Sequence, residues 1–288
     1  MENSDKNRIS GSTLYLVGTP IGNLSDMSER AKKVLCEVDF IAAEDTRNSL
    51  RLLCAYGIKK ELVSYHEHNR RASGERIIER LLGGESCALI TDAGMPAVSD
   101  PGEDLVRLCA DRDITVSVIP GPTAAISALA ISGLATSRFC FEGFLPAKSG
   151  ERKKRLASLK GEERTMIFYE APHKLRATLS DMALAFGEAR RISLCRELTK
   201  LNEEITLTTL GDAIKHYEES EPRGEYVLVV EGGDGKAPEG GEDLSMLSPE
   251  EHVGHYEDAG LSRMAAIKAA AKDRGMTKSE LYKLLLEE

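Results

Sequence analysis

The chain lacks tryptophan, has few aromatic residues, and contains no run near the roughly 20 apolar residues needed to cross a bilayer. Its first twelve residues, MENSDKNRISGS, are polar and have no hydrophobic stretch of the signal-peptide type. We therefore expect a protein without a membrane segment that works in the cytoplasm.

Cysteine is present, but not in a pattern typical of metal sites or disulfide frameworks. The six cysteines are far apart, form no CxxC, and mostly lie in apolar surroundings, which favours reduced core thiols. The HEH sequence at 66–68 offers two histidines, yet no third ligand accompanies them. No metal is expected. The cysteines are Cys36, Cys54, Cys87, Cys109, Cys140 and Cys195.

Common nucleotide motifs and excess positive charge are also missing. There is no GxxxxGK[ST] and no GxGxxG, which disfavours a P-loop hydrolase and an ordinary dinucleotide site. A formal net charge of -9 argues against sequence-independent binding of nucleic acid over the whole surface. A local basic face remains compatible with this charge. The densest basic run, KSGERKKRLASLK at 148–160, is either a solvated helix face or an RNA contact through Lys153 and Lys154.

The hydrophobic pattern predicts an α/β protein. With 288 residues, the chain is long enough for two compact domains. Between residues 13 and 131, five short runs rich in β-branched residues alternate with helical patterns, which predicts a parallel sheet covered by helices on both faces. After residue 139, strands follow one another around residues 194–210 without a helix between them, which favours a mixed sheet.

Composition also predicts where the domains end. Residues 233–247 are rich in glycine and acidic residues and carry no period, as expected of a linker. Beyond them, three short helices are expected, with Ser248, Ser262 and Thr277 as N-caps. The predicted organisation is a flexible N-terminus at 1–12, an α/β domain at 13–135, a second α/β domain at 136–232, the linker, and a helical domain at 248–288.

Two interpretations of the C-terminal helices remain open. They could be a helical appendage that packs against the rest of the protein or a partner. They could also form a contact with nucleic acid of the helix-turn-helix type. In that case the contacting residues would be Lys268, Lys272, Lys278 and Lys283.

A polar or glycine-rich loop follows each of the first five predicted strands. Because the carboxyl ends of parallel strands meet at one edge of a sheet, these loops are expected to form one ligand site. An isolated EDTR would be a helix cap by Asp45 with Arg47 paired beside it, but five such loops in succession favour a functional site. The loops are GTPIGNLSD at 18–26, EDTR at 44–47, SYHEHNRR at 64–71, TDAGMPAVSDPG at 91–102 and PGPTAA at 120–125.

These loops, followed by EGFLP, YEAPHK, RELTK and RGEYVLVVEG, resemble in their order the bacterial 16S rRNA (cytidine 2'-O)-methyltransferases of the tetrapyrrole (corrin/porphyrin) methylase superfamily. The resemblance covers residues 13–232. It implies two α/β domains with S-adenosylmethionine between them, a homodimer, and methylation of the ribose of a decoding-centre cytidine in the small ribosomal subunit. A tetrapyrrole methyltransferase, or a non-catalytic module that binds cofactor and RNA, are the alternatives.

The resemblance, together with side-chain chemistry, gives three sets of candidate residues. A ribose hydroxyl needs a base or a hydrogen-bonded site, so the catalytic candidates are carboxylates and a lysine, between which the sequence does not choose. The catalytic candidates are Glu44, Asp45, Glu197 and Lys200. The cofactor candidates are Pro20, Asp92, Gly94, Met95, Pro122, Thr123, Ala124, Glu170 and Ala171. The RNA candidates are Arg47, His66, Glu67, Asn69, Arg70, Lys153, Lys154 and Arg196.

Three positions depart from the commonest pattern of the family: Thr91 stands in place of Ser, Met95 in place of Thr, and Lys174 in place of Arg. If the backbone near Met95 binds the cofactor, the change from Thr to Met should have little effect on cofactor binding. Lys174, by contrast, cannot make the bidentate phosphate contact of an arginine. Because the whole chain is acidic, we expect the substrate to be an assembled small subunit rather than free rRNA.

Overall fold

A computed structural model describes residues 8–233, 247–258 and 262–287. The chain divides into two compact units, Met1–Asp234 and Gly235–Glu288. Most of the expected linker and the first seven residues of the expected N-terminal segment lie outside the described residues, so the domain limits stay predictions. None of the helices in the described ranges combines the length and apolar character that crossing a membrane requires.

The first sheet is fully parallel, as the sequence predicts. Its five strands run in the order β3-β2-β4-β1-β5, and every neighbouring pair is parallel. The strands are β1 (Thr13–Val17), β2 (Phe40–Ala43), β3 (Glu61–Ser64), β4 (Ser86–Ile90) and β5 (Thr115–Ile119). The helices that follow them are α1 (Glu29–Glu37), α2 (Thr46–Ala55), α3 (Arg70–Leu82), α4 (Gly102–Ala110) and α5 (Ala124–Ile131).

Both faces of this sheet are covered. Leu35 of α1 and Leu53 of α2 share one hydrophobic core with Tyr15 and Val17 of β1. On the opposite face, Leu14 packs in a second core with residues of α3 and α4. Alternate side chains of a strand point to opposite faces, so β1 contributes to both cores. Packing on both faces fixes the positions of the strand ends, and therefore the positions at which the following loops begin.

The second sheet is mixed, which confirms the expectation. Its order is β6-β7-β10-β8-β9, with β6 and β7 parallel and the other pairs antiparallel. Its strands are β6 (Phe139–Phe144), β7 (Thr165–Glu170), β8 (Arg191–Arg196), β9 (Glu204–Thr209) and β10 (Tyr226–Val230). Its helices are α6 (Ser149–Ser158), α7 (Pro172–Phe186) and α8 (Leu210–Glu219).

Helix α8 was not predicted from the sequence. This helix starts directly after β9 without a loop, because Thr209 ends the strand and also caps the helix, its hydroxyl accepting a hydrogen bond from the Asp212 amide at 3.2 Å. A threonine followed three residues later by an acidic residue is a recognisable start signal.

Helix α5 joins the two sheets. It follows the last strand of the first sheet, yet its Ala128 and Leu129 pack in one core with Ile167 of β7 and Val229 of β10. The two sheets therefore belong to one compact unit, with α5 as their shared helix.

The C-terminal unit contains the three expected helices, α9 (Pro249–Asp258), α10 (Arg263–Asp273) and α11 (Lys278–Glu287). The Ser248 hydroxyl accepts a hydrogen bond from the Glu251 amide at 3.2 Å, and the Thr277 hydroxyl accepts one from the Glu280 amide at 3.3 Å. Both serve as the predicted caps. Ser262 makes no side-chain cap bond.

The expectation for the cysteines holds only in part. Cys87, Cys109 and Cys195 are buried, whereas Cys36 and Cys54 are exposed. Helix α1 buries its Ala31, Val34 and Leu35 face and so turns Cys36 outwards.

Candidate functional site

A cleft of about 560 Å³ lies where the loops that follow β1, β2, β4 and β5 meet the second sheet. From the first half of the chain it is lined by Ile21, Glu44, Thr91, Asp92, Ala93, Gly94, Met95, Val98, Ser99, Asp100, Thr123 and Ala124. From the second half it is lined by Phe144, Tyr169, Glu170, Ala171, Cys195, Glu197, Leu198, Lys200, Glu225, Tyr226 and Val227.

The backbone at the bottom of the cleft is held by close contacts between the loops. Thr19 and Gly94 exchange backbone hydrogen bonds of 2.9 and 3.1 Å, and the Thr19 hydroxyl donates to the Thr91 carbonyl at 3.2 Å. Gly18 and Gly121 touch, because a Cβ at Gly121 would lie 2.9 Å from the Gly18 Cα. Only glycine permits this approach, so the loops of β1, β4 and β5 form one surface.

Two carboxylates of the first half face this cleft. The Thr91 hydroxyl donates to Glu44 Oε2 at 2.9 Å, and the Asn48 amide donates to Asp92 Oδ2 at 2.9 Å. Each carboxylate is thus oriented through one of its oxygens. The other oxygen makes no hydrogen bond to a described residue and is available to a ligand.

Across the cleft, Glu197, Lys200 and Glu225 form a hydrogen-bonded group, here called the Lys200 cluster. The Lys200 ammonium donates to Glu197 Oε1 at 2.9 Å and to Glu225 Oε2 at 2.8 Å, while the Glu225 amide donates to Glu197 Oε1 at 2.9 Å. An ammonium has three N–H groups, so one remains available for a substrate oxygen. Glu197 Oε2 has no hydrogen-bond partner among the described residues.

The charges of the Lys200 cluster follow from these contacts. Burial acts to lower the pKa of Lys200, but the hydrogen bonds to Glu225 and Glu197 outweigh it and raise that pKa above its ordinary value. For Glu197, burial acts to raise the pKa, and the bonds from Lys200 and the Glu225 amide outweigh it and lower that pKa. At neutral pH the cluster therefore carries the Lys200 ammonium beside the ionised carboxylate of Glu197.

Backbone strain concentrates at the cleft. Six non-glycine residues in the described ranges have a positive φ, and four of them lie in the two loops on either side of the cleft. Left-handed backbone costs a non-glycine residue of order 1–3 kcal/mol and persists mainly where the surrounding structure enforces it. The four residues are Ala97, Ser99, Glu197 and Thr199, with φ values of 67°, 65°, 51° and 65°.

Gly22 brings the β1–α1 loop against the turn that carries Lys200. A Cβ at Gly22 would collide with the Lys200 side chain and would lie 2.8 Å from the Thr199 hydroxyl. This hydroxyl is buried and has no hydrogen-bond partner among the described residues. The position of the Lys200 side chain thus depends on Gly22, which lies in the loop that follows β1 of the first sheet.

Two helix starts also border the cleft. The Thr123 side chain makes no cap bond to α5, so amides of the first turn remain open to a ligand. At α7, the buried Glu170 accepts hydrogen bonds from the Ala171 amide at 2.9 Å and from the Thr178 hydroxyl at 2.5 Å. The Glu170 carboxylate therefore holds the start of α7, and its backbone is the part that a ligand can reach.

Most of the catalytic and cofactor candidates come together in this cleft, whereas none of the RNA candidates lines it. Pro20 and Pro122 are next to lining residues without lining the cleft themselves. The cofactor candidates that line it are Asp92, Gly94, Met95, Thr123, Ala124, Glu170 and Ala171. The catalytic candidates that line it are Glu44, Glu197 and Lys200.

Asp45 does not reach the cleft. Its carboxylate accepts a hydrogen bond from the Arg47 amide at 2.8 Å and pairs with the Arg47 guanidinium at 3.0 Å. The side-chain and backbone bonds from Arg47 lower the pKa of Asp45 to about 2. Both residues therefore adopt the local cap-and-pair arrangement that an isolated EDTR would predict.

Besides Arg47, the RNA candidates Glu67, Arg70 and Arg196 are engaged in ion pairs on the surface. The Arg70 guanidinium contacts Asp104 at 2.6 Å and Glu67 at 3.3 Å, and Arg196 contacts Glu204 at 2.7 Å. Arg70 lies at the first position of α3 rather than in the preceding loop. A phosphate would have to compete with these carboxylates.

His66 and Asn69 organise their own loop. The His66 amide donates to Asn69 Oδ1 at 2.8 Å, and Asn69 Nδ2 donates to the Ser64 carbonyl at 3.1 Å. His66 Nδ1 is buried without a hydrogen-bond partner in the described part of the chain. Neither residue lines the cleft.

The basic run on α6 is not uniformly solvated. Arg152 is buried against Asp181, and Arg155 pairs with Glu142. Lys153 and Lys154 point to solvent, although Lys153 Nζ remains 3.7 Å from Asp181 Oδ1. The surface available to a phosphate backbone therefore centres on these two lysines.

Several lining residues were missed by the sequence analysis. Glu225 follows a glycine before a buried strand, where it has no distinguishing pattern, and Phe144 and Tyr169 belong to apolar runs that predict core positions. Cys195 also lines the cleft, but burial raises the pKa of its thiol, so it stays protonated at neutral pH and is no nucleophile.

Sequence comparison relates the chain to methyltransferases over nearly its whole length. Ribosomal RNA small subunit methyltransferase I of Halalkalibacterium halodurans is 47% identical over 276 residues, which are 96% of this chain and 95% of that protein. The protein of the same name from Bacillus subtilis is 47% identical and covers 93% of this chain and 92% of its own length. The protein of that name from Synechocystis is 44% identical and covers 95% of this chain and 97% of its own length.

Solved structures share the fold. Uroporphyrin-III-C-methyltransferase from Thermus thermophilus superposes with a TM-score of 0.55 at 20% identity, over 76% of this chain and 94% of its own. Diphthine synthase superposes with a TM-score of 0.58 at 14% identity, over 76% of this chain and 90% of its own. Residues 13–214 match the family of Tetrapyrrole (Corrin/Porphyrin) Methylases, and together with the full-length relatives this shows that the chain belongs to the tetrapyrrole (corrin/porphyrin) methylase family.

Proposed function

We propose that this protein transfers a methyl group from S-adenosylmethionine to the ribose 2'-hydroxyl of a decoding-centre cytidine in 16S rRNA of the small ribosomal subunit. The names of relatives that are 44–47% identical support an rRNA substrate. The observation that carries the proposal is the Lys200 cluster, which offers a hydrogen-bond donor and an ionised carboxylate in the cleft of a methylase fold.

The lining residues fit S-adenosylmethionine. The cofactor is cationic, and the carboxylates of Glu44 and Asp92 each present an oxygen without a described partner. The contact of Gly18 with Gly121 holds the loops that follow β1 and β5 together beside the lining residues. A volume of about 560 Å³ lies within the range of roughly 300–1,000 Å³ typical of small-molecule sites.

When bound, S-adenosylmethionine supplies an electrophilic methyl group on its sulfonium. Glu44, Asp92, the backbone of residues 93–95 and the open amides at the start of α5 would hold it on the side of the first sheet. Positioning the attacking oxygen in line with that methyl group can supply several kcal/mol of the barrier.

The acceptor is held by the Lys200 cluster. The third N–H of Lys200 donates to the ribose oxygen, which orients it and stabilises the negative charge that develops as its proton leaves. Glu197 Oε2 accepts this proton, since its other oxygen is already occupied by Lys200 and the Glu225 amide. Glu44 and Lys200 thus have different roles, cofactor binding and acceptor binding, and Asp45 is a helix cap.

The proposed RNA-binding surface of the protein lies outside the cleft. Lys153 and Lys154 on α6 contact phosphates directly, while Arg47, Arg70 and Arg196 reach phosphates only after exchanging their carboxylate partners. His66, Glu67 and Asn69 shape the neighbouring loop. Because the chain has a formal net charge of -9, the substrate is the assembled subunit, whose protein and RNA surfaces add contacts that free rRNA lacks.

Ribose methylation should depend on this protein. We expect the purified chain with S-adenosylmethionine to form 2'-O-methylcytidine in small subunits isolated from cells lacking this gene, and less in naked 16S rRNA. Nucleoside mass spectrometry and mapping by reverse transcription measure both. Methylation of a base, of a different ribose or of a porphyrin in place of rRNA would overturn the proposal, and naked rRNA as the better acceptor would overturn the assembled substrate.

The proposed enzyme acts as a homodimer, and the exposed face of α5 supports this. The helix sequence AAISALAI is apolar on all sides, although only one face packs inside the chain. Ile131 of α5 is exposed, and so is Leu207 on the edge strand β9. A Cβ at Gly133, two residues after Ile131, would lie 3.1 Å from Leu207, so the two side chains border one surface. A helix that is apolar all round is usually covered.

Replacing Ile131 with glutamate should therefore convert a dimer into a monomer at micromolar concentration, because a charge would be buried in the interface. Sedimentation velocity measures the change. Leu184→Glu is the matched control, since Leu184 is exposed on α7 and should leave the dimer intact. A wild-type chain that sediments as a monomer contradicts the homodimer.

A further inference from the structure

The segment EGFLP at 142–146 has no role in the proposed reaction, yet it contributes Phe144 to the cleft and contains an irregularity. Strand β6 pairs with β7 in register from Phe139 to Phe141, and the register then shifts, so that Gly143 and Phe144 pair with Phe168 and Tyr169. Glu142 is thus an additional residue, which makes a β-bulge.

This bulge changes the face on which Phe144 lies. In a regular strand, residues three apart point to opposite faces, so Phe141 and Phe144 would be separated by the sheet. Here both rings meet Tyr169 edge to face, with centroid distances of 5.0 Å for Phe141 and 5.5 Å for Phe144. Phe144 is therefore turned towards the cleft, which it lines.

Glycine at position 143 makes this arrangement possible. Gly143 has a φ of 63°, which is favourable for glycine, and its Cβ position lies 3.2 Å from the Ser99 hydroxyl in the loop that follows β4. The bulge thus stands directly against the strained segment at the edge of the cleft. A side chain at 143 would strain the backbone and press on Ser99.

Phe144 is 60% exposed, although it is large, apolar and braced by Tyr169. Val98, which lines the same cleft, is exposed as well. A ring that is packed against one neighbour and is otherwise largely exposed is a stacking surface for a flat partner, and RNA-binding proteins bind unstacked bases on such rings.

We propose that Phe144 is a stacking platform for an unstacked nucleobase of the RNA substrate, one that flanks the methylated nucleotide. This inference rests on the proposed function. Phe144 lies on β6 and the Lys200 cluster follows β8, three strands away in the sheet order, or roughly 14 Å at about 4.8 Å per strand. This spacing of the two backbones favours a neighbouring base over the acceptor's own base, so the platform selects RNA that is single-stranded around the target.

The experiment compares Phe144→Leu, which removes the aromatic face, with Phe144→Trp, which keeps it. We expect Phe144→Leu to lower kcat/KM for small subunits by about 5- to 150-fold, the range for loss of one stacked base, and Phe144→Trp to retain most of the activity. Phe139→Leu is the matched control, because Phe139 opens the same strand, is 39% exposed and does not line the cleft.

Two further measurements identify the partner of the ring. Calorimetry should give the same Kd for S-adenosylmethionine in the wild type and in Phe144→Leu, while binding of small subunits in the presence of S-adenosylhomocysteine weakens only in the leucine variant. A weakened cofactor Kd with unchanged subunit binding would assign Phe144 to the cofactor and overturn the inference. Equal kinetics of Phe144→Leu and wild type would also overturn it, with the proposed function intact. A wild-type chain that neither binds nor methylates small subunits would overturn both.

Discussion

Replacing Lys200 with methionine should lower kcat/KM for methyl transfer by about 10²- to 10⁴-fold, the range for a group that assists proton transfer. Methionine keeps the aliphatic length but removes the N–H that the proposal assigns to the ribose oxygen. It also releases Glu197 from the contact that orients its carboxylate. Lys200→Arg should not restore activity, because the planar guanidinium occupies the space beneath Gly22 differently.

The matched control is Lys215→Met. Lys215 is an exposed lysine of α8 whose contact with Asp212 lies at 3.5 Å, outside the cleft. Circular dichroism and calorimetric binding of S-adenosylmethionine should show that Lys200→Met is folded and still binds cofactor. If the folded variant keeps wild-type kcat/KM, Lys200 has no role in catalysis.

The pH profile distinguishes a cationic Lys200 from a basic one. Its raised pKa means that the ammonium is present at neutral pH and is lost only when the pH rises through that value. Glu225→Gln removes a negative charge that helps to raise this pKa, so the alkaline loss of kcat should move to lower pH. If Lys200 were the base, activity would instead rise towards alkaline pH, and Glu225→Gln would increase it at neutral pH.

The architecture was predictable because period and composition determine it. Runs such as CALI before a glycine-rich loop indicate buried parallel strands, and the ends of such strands converge by topology. The position of the cleft follows from that. Which of the two adjacent carboxylates lines the cleft was harder to predict. Glu44 is held there by the Thr91 hydroxyl from another loop, whereas Asp45 becomes the cap of α2.

Long-range contacts account for what the sequence could not predict. Glu225 meets Lys200 only because β10 pairs with β8, and these residues lie 25 positions apart. Phe144 faces the cleft because of a bulge whose only trace in the sequence is Gly143. Arg152 was grouped with solvated lysines, although its partner Asp181 comes from another helix.

That buried pair gives the second large expected effect. Asp181→Ala should lower the free energy of unfolding by about 3–5 kcal/mol, because it leaves the Arg152 guanidinium buried without its carboxylate. Asp181 Oδ2 accepts a hydrogen bond of 2.7 Å from Arg152 Nε and lies 2.7 Å from Arg152 Nη2, and the Asp181 and Arg152 side chains are only 7% and 8% exposed. Arg152 Nη1 donates to the Ala147 carbonyl at 3.2 Å, which is too little to compensate.

Denaturant unfolding measures this loss, with Glu151→Ala on the same helix as control. Glu151 pairs with Lys148 at 3.3 Å in solvent, so its removal should cost at most about 1 kcal/mol. The double replacement Arg152→Met with Asp181→Leu should cost much less than Asp181→Ala, because an apolar pair leaves no buried charge. A double variant as unstable as Asp181→Ala would mean that packing of α6 on α7, rather than the unpaired guanidinium, determines the lost free energy of unfolding.

Since α6 also carries Lys153 and Lys154, Asp181→Ala should raise KM for small subunits through a misplaced basic surface, while the double variant should return KM towards the wild-type value.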